Sequence, residues 1–425
     1  MLELTFLVFA IMLLLGVPIA FGMGIASLVA LWFTTNVSIT LIPQRLFVGV
    51  DSFSMMAIPF FMLAGEFMET GGISRRLVNF SYALVGHITA GLGMVCILTS
   101  MIFAGVSGSA AADTAAVGSI LIPAMKKKGY PKAMAAMIQA CAGSLGPIIP
   151  PSLTMIIYGS LTGISIGALF LAGIVPGLLI GLLLMGVTYF YGKKYNLKGE
   201  EKCSRQEVWK ATKEASLALI MPVFIIGGII IGAFTPTEAG AVAVVYAFTI
   251  GFFVYKEFAL RDIPRIVLNA AGTTAMAMLI IAGASILGWI VAYGKLPQIV
   301  ISYLTSLTSS PQVIMLLLIG FLLIVGMFIE TIAATIIVAP ILMPLAAQYG
   351  IDPIHFALVM VVTLVYAGVT PPVGGILFIT MGIGDVKMKD MLQYIPSYVG
   401  IMIVALIIVA LIPPLAIYIP NLILK

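Results

Sequence analysis

Charge is what this sequence has least of. Only 9% of its 425 residues are Asp, Glu, Lys or Arg, against 62% that are hydrophobic, whereas a soluble domain is about a quarter charged. No water-soluble fold of this length is compatible with so little polar surface. Histidine is nearly missing: His87 and His355 stand alone and far apart, which excludes a His-Glu-x2-His zinc site. The three cysteines, Cys96, Cys141 and Cys203, are odd in number and widely spaced, so they form neither a disulfide framework nor a metal spacing. No Gly-x4-Gly-Lys-[Ser/Thr] occurs, which excludes an ATP-driven pump. Gly105-Val-Ser-Gly-Ser109 resembles a nucleophile elbow but ends in serine rather than glycine, with no histidine near it in sequence. An enzyme is therefore not expected. The first ten residues carry Glu3 and no Lys or Arg, so they lack the basic start of a signal peptide and read as the first span.

What is present is hydrocarbon. Apolar runs of about 20 residues, long enough to cross a bilayer, recur from end to end. They lack the period-2 alternation of a barrel strand, so the spans must be helices. The net charge of +5 does not signal nucleic acid; the basic residues sort by membrane side. They cluster at Arg75 and Arg76, at Lys126–Lys132, at seven positions from Lys193 to Lys213, at Lys256–Arg265, and at Lys387 and Lys389. Even numbers of crossings separate the three large clusters. The positive-inside rule then places 18 of the 21 basic residues in the cytoplasm and leaves Arg45, Lys295 and Lys425 outside. The expectation is a multi-pass protein of a bacterial cytoplasmic membrane, in contact with membrane lipid, with Met1 outside.

The second half echoes the first. Pro123 and Gly129 return as Pro344 and Gly350, and Pro150-Pro151 returns as Pro371-Pro372, all at an offset of 221. Pro18, Gly22 and Gly65 return as Pro236, Gly240 and Gly283 at an offset of 218. Each half is read as three spans, an amphipathic arm, a helical hairpin and two more spans. Five crossings per half invert the second half, which is the usual architecture of a secondary transporter. The expected parts are a first repeat over 1–191, with a cytoplasmic-side hairpin at 87–125 and a broken helix around 146–152. A cytoplasmic loop over 192–215 follows. The second repeat spans 216–425, with a periplasmic-side hairpin at 311–345 and a broken helix around 368–375. Arms are expected near Arg75–Gly86 and Lys295–Ser309.

Four stretches bring backbone polarity to membrane depth. Gly105–Asp113 and Gly326–Thr335 read as hairpin tips, because glycine turns sharply and small polar residues do not suit a lipid-facing helix. Gly146–Ser152 and Gly368–Gly375 carry paired prolines, which remove amide donors and stop a helix. Interrupted helices leave amides at one end and carbonyls at the other. Helix N-termini suit a carboxylate, while C-termini and unwound carbonyls suit sodium. Two tips facing two breaks predict two cation sites with an anion site between them. Hydroxyls come from Ser107, Ser109 and Ser152 in one half and from Thr331, Thr335 and Thr370 in the other.

Five motifs carry a family resemblance: Gly105-Val-Ser-Gly-Ser-Ala-x-Ala-Asp113, Gly118-x4-Pro123-x-Met125, Gly146-x3-Pro-Pro-Ser152, Thr235-Pro-Thr-Glu-Ala-Gly-Ala241 and Gly368-x-Thr-Pro-Pro-x-Gly374. The chain resembles the large membrane subunit of tripartite ATP-independent periplasmic (TRAP) transporters over nearly its whole length. The resemblance implies an elevator-type secondary transporter coupled to sodium. It also implies a small four-helix membrane subunit as a separate chain and a periplasmic substrate-binding protein that delivers an organic acid. It places ion-site roles on Ser107, Gly108, Ser109, Gly146, Pro150, Gly326, Gly368 and Thr370. The substrate is expected against Ser109, Ser152, Thr331, Thr335 and Pro372.

Intramembrane carboxylates are costly and face a cavity or a partner. Asp113, one turn after Ser109, and Glu330 are expected to orient their tips, since a bare anion at the site would repel an acid. Glu238 fits a capping box with Thr235. Glu66 and Glu69 are expected to reach the inner interface, and the two histidines are given no role. Two rival readings remain at this stage. One is a channel lined by the breaks; the other is a standalone cation/proton antiporter or sodium symporter of similar fold, for which Asp113 is the convincing titrating carboxylate.

Overall fold

Glycine, proline and capping side chains set where each apolar run starts and stops. The computed structural model describes residues 1–424, with no strand among the described residues. The first half opens with α1 (Leu2–Leu14), α2 (Ile19–Thr34) and α3 (Leu41–Val50), which bends by 59° into α4 (Ala57–Thr70). The arm α5 (Ile73–Val85) leads to a hairpin of α6 (Gly91–Ser107) and α7 (Ala110–Lys127). A broken helix, α8 (Lys132–Gly143) and α9 (Leu153–Thr162), and the long α10 (Ile166–Lys194) complete it.

The second half has the same order. Its three opening helices are α11 (Arg205–Ile230), α12 (Pro236–Thr249) and α13 (Ile263–Tyr293), followed by the arm α14 (Leu296–Leu307). The hairpin is α15 (Pro311–Phe328) and α16 (Thr331–Gln348), and the broken helix is α17 (Pro353–Ala367) and α18 (Gly375–Gly384). The short α19 (Met388–Met391) leads to α20 (Ile395–Leu411), which bends by 54° into α21 (Pro414–Ile423). Among the described residues, six helices are long and apolar enough to cross a membrane, or up to eight if each bent pair is one span.

Three expectations need correction in detail. The loop expected over 192–215 ends at Ser204. Its hydroxyl accepts from Glu207 N while the Glu207 carboxylate accepts from Ser204 N, a capping box that starts α11 eleven residues early. The first tip is narrower than Gly105–Asp113. Ala and Ser continue a helix readily, so only Gly108, at φ +64°, and extended Ser109 interrupt it. The second tip shrinks likewise to Ile329 and Glu330. The capping box of Thr235 and Glu238, with Pro236 at the first helical position, is present as read from sequence.

Polar contacts link several of the basic segments in pairs. Glu257 pairs with Arg75 and Arg76 at 3.4 and 2.9 Å. Lys128 pairs with Glu200 at 2.6 Å, and Lys126 donates to the Gly384 carbonyl at 2.9 Å. These contacts tie Arg75 and Arg76 to Glu257, and Lys126 and Lys128 to Gly384 and Glu200. Lys425, expected on the other side, lies outside the described residues.

The helices sort into two packing groups. One is α1–α4 with α12 and α13; the other is the two hairpins, the two broken helices, α10 and α20. Each half contributes to both groups. In the second group α16 packs on α9, α18 on α7 and α8, and α10 on α20, so the two halves interlock there. The groups meet along α13 against α16 and α4 against α6 and α9. Gly105 of α6 also packs closely against α11: a Cβ there would lie 3.1 Å from Pro222 Cγ and 3.2 Å from Pro222 Cβ.

Candidate functional site

The first tip lies directly on the first break. A Cβ on Gly146 would sit 2.5 Å from Asp113 Oδ2, 2.9 Å from the Ser109 carbonyl carbon and 3.0 Å from its oxygen. One on Gly108 would lie 2.5 Å from the Pro151 carbonyl oxygen. The Leu153 amide donates to the Gly108 carbonyl at 3.3 Å. The missing side chains therefore let two backbones touch. In the second half, Gly326 occupies the equivalent crowded place, with Ala367 Cβ 2.6 Å from its own would-be Cβ. The second break closes on itself through Ile376 N donating to the Gly368 carbonyl at 3.1 Å and Thr370 Oγ1 donating to Tyr366 O at 2.8 Å. Both Pro-Pro bonds, Pro150-Pro151 and Pro371-Pro372, are cis.

Asp113 is fully buried and spans the turn of the first tip, accepting from the Ser107 hydroxyl. Its other oxygen, Oδ2, and the neighbouring Thr114 hydroxyl have no protein partner. Gln139, also fully buried, donates to the Asp113 carbonyl at 3.2 Å and accepts from Cys96 Sγ at 2.9 Å, tying α6, α7 and α8 together. The charge inventory passed over Gln139 because an amide carries no charge. The usable signal was a lone Gln among Ala, Met and Ile in an apolar run. Glu330 caps α16: its Oε2 accepts from Ile332 N at 2.9 Å and Ala333 N at 3.1 Å.

Two adjoining cavities lie between the tips. The first, about 440 Å³, is bounded by the starts of four helices: Ser109–Ala111 of α7, Leu153 and Thr154 of α9, Thr331 and Ile332 of α16, and Gly375 and Ile376 of α18. Gly108, Gly326, Gly368 and Glu330 complete its polar and backbone wall. Of these four helices, α7, α9 and α16 have side-chain caps, while α18 begins at Gly374 without one. The second cavity, about 490 Å³, runs between the tips and the other packing group, along α4 and α13. It shares Ser109, Leu153 and Glu330 with the first and adds Ser107, Thr273, Glu66 and Glu69. No Lys, Arg or His lines either cavity among the described residues.

The structure thus brings Ser107, Gly108, Ser109, Gly146 and Asp113 together at one tip, and Gly326, Gly368, Glu330 and Thr331 at the other. Ser152, Thr335 and Pro372, expected to touch substrate, do not line either cavity. Ser152 is fully buried, donating to Pro147 O at 2.6 Å while it caps α9 through Met155 N at 3.2 Å. Thr335 is buried and donates back to Thr331 O at 2.8 Å, the usual outlet for a hydroxyl within a helix. Pro372 is exposed outside the cavity wall. Pro150 and Thr370 line neither cavity. Glu66 and Glu69, expected at the interface, face the second cavity instead. His355 is a satisfied core residue, with Nε2 2.9 Å from Val409 O. No group of three or more His, Cys, Asp or Glu able to hold a metal occurs among the described residues.

Residues 6–415 match the family described as "Tripartite ATP-independent periplasmic transporter, DctM component". The chain is 40% identical to the C4-dicarboxylate TRAP transporter large permease protein DctM of Pseudomonas aeruginosa, over 94% of each chain. It is 38% identical to the sialic acid TRAP transporter large permease protein SiaM of Vibrio cholerae, over 97% of this chain and 96% of that one. It is 41% identical to the isethionate TRAP transporter permease protein DctMQ of Oleidesulfovibrio alaskensis, where 96% of this chain spans 65% of the relative's length. Among solved structures, the Alcanivorax borkumensis YdaH transporter shares the fold, with a TM-score of 0.61 at 14% identity over 87% of each chain.

Proposed function

Since the chain belongs to the DctM-component family of tripartite ATP-independent periplasmic transporters, we propose that it translocates a small organic acid into the cytoplasm by a sodium-coupled elevator movement. It is a multi-pass protein of the inner membrane and a transporter permease. In this reading it works with a small membrane subunit and with a periplasmic binding protein that delivers the acid. Relatives of similar identity carry C4-dicarboxylates, sialic acid and isethionate by name, so the shared feature is an acid group.

The observation that carries the reading is four helix N-termini around one cavity with no basic side chain in its wall. Helix N-termini carry roughly half a positive charge each, which suits a carboxylate or sulfonate, although Ser109, Ser152 and Glu330 already accept from some of their amides here. The same walls hold Glu66, Glu69 and Glu330, and an anion entering such a space needs further positive charge. Sodium at the two tip-and-break contacts supplies it without a fixed cation that would trap the acid. Asp113 and Glu330, hydrogen-bonded across or along their own tips, hold the tips in shape for that ion.

The two packing groups supply the moving parts. The tips, breaks and cavity walls belong mainly to one group, which slides past α1–α4, α12 and α13. Each net positive charge carried inward gains about 2.3 kcal/mol per 100 mV, so more sodium charges than substrate charges make uptake electrogenic. The test is uptake of labelled acids into proteoliposomes holding this chain and a small subunit, with and without a sodium gradient and the binding protein. Uptake that needs all three is the expected outcome. Uptake unchanged in sodium-free buffer at fixed pH would refute the coupling, and ion flux without added acid would restore the channel or antiporter.

A further inference from the structure

Two chain segments cross between the packing groups at one end of the molecule, and they are fastened to each other. Residues 86–90 lead from the arm α5 into α6, and residues 195–204 lead from α10 into α11. The Ala90 amide donates to the Leu197 carbonyl at 2.9 Å, and the Glu200 amide donates to the Gly86 carbonyl at 3.0 Å. Gly199 lies against the His87 and Ile88 carbonyls, and a Cβ on Gly192 would sit 2.6 Å from Ala90 Cβ, so bare glycines let the segments touch. Lys128, at the end of the first hairpin, pairs with Glu200 at 2.6 Å and ties the crossing to α7.

The crossing is built to hold its shape. Ala90 has φ +57° and Asn196 φ +52°. Asparagine visits this left-handed region readily but alanine does not, so its neighbours must hold Ala90 there. Gly86, Ala90 and Leu197 are buried, and parting them would strand backbone donors and acceptors away from water. On one side of the crossing, α5 and α11 pack on each other and on α4 and α12 of the first group. Arg76 of α5 pairs with Glu257 at 2.9 Å and lies 3.8 Å over the Tyr255 ring, whose hydroxyl donates to the Glu214 carbonyl of α11 at 3.0 Å. Toward the opposite end of α11, its contacts with the hairpin group are apolar. A Cβ on Gly167 of α10 would lie 3.1 Å from Ile229 Cγ2, and Gly105 of α6 faces Pro222. Apolar contacts are non-directional and can be exchanged during sliding, whereas a directional backbone hydrogen bond is lost. In the second half, the connector 308–310 between α14 and α15 is tied instead to its own hairpin, through Tyr349 Oη donating to the Thr308 carbonyl at 3.0 Å.

We infer that segments 86–90 and 195–204 form a single fixed pivot, so that the group of hairpins and broken helices swings about this end instead of sliding equally along its whole length. The inference rests on the elevator reading above and specifies where the movement is anchored.

The test is uptake of labelled succinate, sialic acid and isethionate into proteoliposomes, with a small subunit, binding protein and sodium gradient present. The background lacks Cys96, Cys141 and Cys203. His87→Cys and Lys198→Cys, both exposed on the crossing, are joined by a short bismaleimide. At the opposite end, Gly167→Cys and Ile229→Cys are oxidised to a disulfide. The His87–Lys198 link is expected to leave at least about half of the uptake rate. The Gly167–Ile229 link is expected to lower it about tenfold or more until reductant is added. If the reduced Gly167, Ile229 variant is inactive, the Gly105→Cys, Pro222→Cys pair replaces it. Arrest by the His87–Lys198 link would overturn the pivot, whatever the distal link does, and would leave the elevator reading in place. Full uptake with both links would refute the elevator movement at these contacts, and the pivot with it. No uptake of any of the three acids by the unlinked protein would refute the transport reading on which both depend.

Discussion

Replacing Gly146 by alanine tests the tip-and-break contact at which the first sodium ion is proposed to bind. Gly146 does not have a positive φ, so the backbone accepts alanine and any effect comes from space alone. The added Cβ would meet Asp113 Oδ2 at 2.5 Å and the Ser109 carbonyl carbon and oxygen at 2.9 and 3.0 Å. Ordinary packing contacts begin near 3.4 Å. Two of the three obstacles are backbone, so no rotamer change relieves them, and the tip must move off the break by about half an ångström. Forcing an extra methyl into such a place costs about 1 to 3 kcal/mol. If that cost falls on the sodium-bound tip, the half-saturating sodium concentration rises by about fivefold to about 150-fold, since 1.4 kcal/mol is a factor of ten. Gly186→Ala is the control. It lies in α10 with nothing within 4 Å of its would-be Cβ, and helix propensity makes it neutral or stabilising by up to about 1 kcal/mol. Sodium-dependent uptake in proteoliposomes and melting temperature would be measured for both. A Gly146→Ala protein matching Gly186→Ala in both measurements would refute the proposed pressure of tip on break.

Two further outcomes follow from the same geometry. A Gly105→Cys, Pro222→Cys pair, in a background lacking Cys96, Cys141 and Cys203, places Cβ atoms near the separation a disulfide needs, about 3.5 to 4.5 Å. Oxidation is expected to join α6 to α11, which packs on α12 of the other group, and arrest uptake until reductant is added; full uptake by the cross-linked protein would exclude sliding at that contact. At the exposed start of α11, ahead of its apolar stretch, the Ser204 amide holds the Glu207 carboxyl below its ordinary value. A lowered folded pKa means that this cap stabilises the helix above the usual carboxylate range and is lost as pH falls through the lowered value. Hydrogen-exchange protection of the first turn is expected to drop in that acid window in the native protein. In Ser204→Ala it should already be low at neutral pH, and a native protein showing equal protection across the window would contradict the linkage.

Much of this protein was legible in its sequence, because the relevant causes act within one or two turns of chain. Sparse charge and long apolar runs required membrane helices. The basic clusters were visible as clusters, and Glu257, Glu200 and Gly384 link some of them in pairs. Gly108, the two Pro-Pro pairs and the Thr235–Glu238 cap marked where helices stop and start, since backbone conformation and capping are local properties. What only the tertiary structure decided is which of those ends meet and which way each side chain turns. Ser109 and Ser152 both cap helices, yet Ser109 lines the cavity while Ser152 is turned inward onto the Pro147 carbonyl. Glu66 and Glu69 read as interfacial by depth alone, but the rotation of α4 against α13 turns them to the second cavity. Gly146 matters through Asp113 and Ser109, 33 and 37 positions before it. A hydroxyl, a carboxylate or a bare glycine carries the same local chemistry in any apolar helix. Its role depends on the face presented to neighbours distant in sequence, and packing alone sets that face.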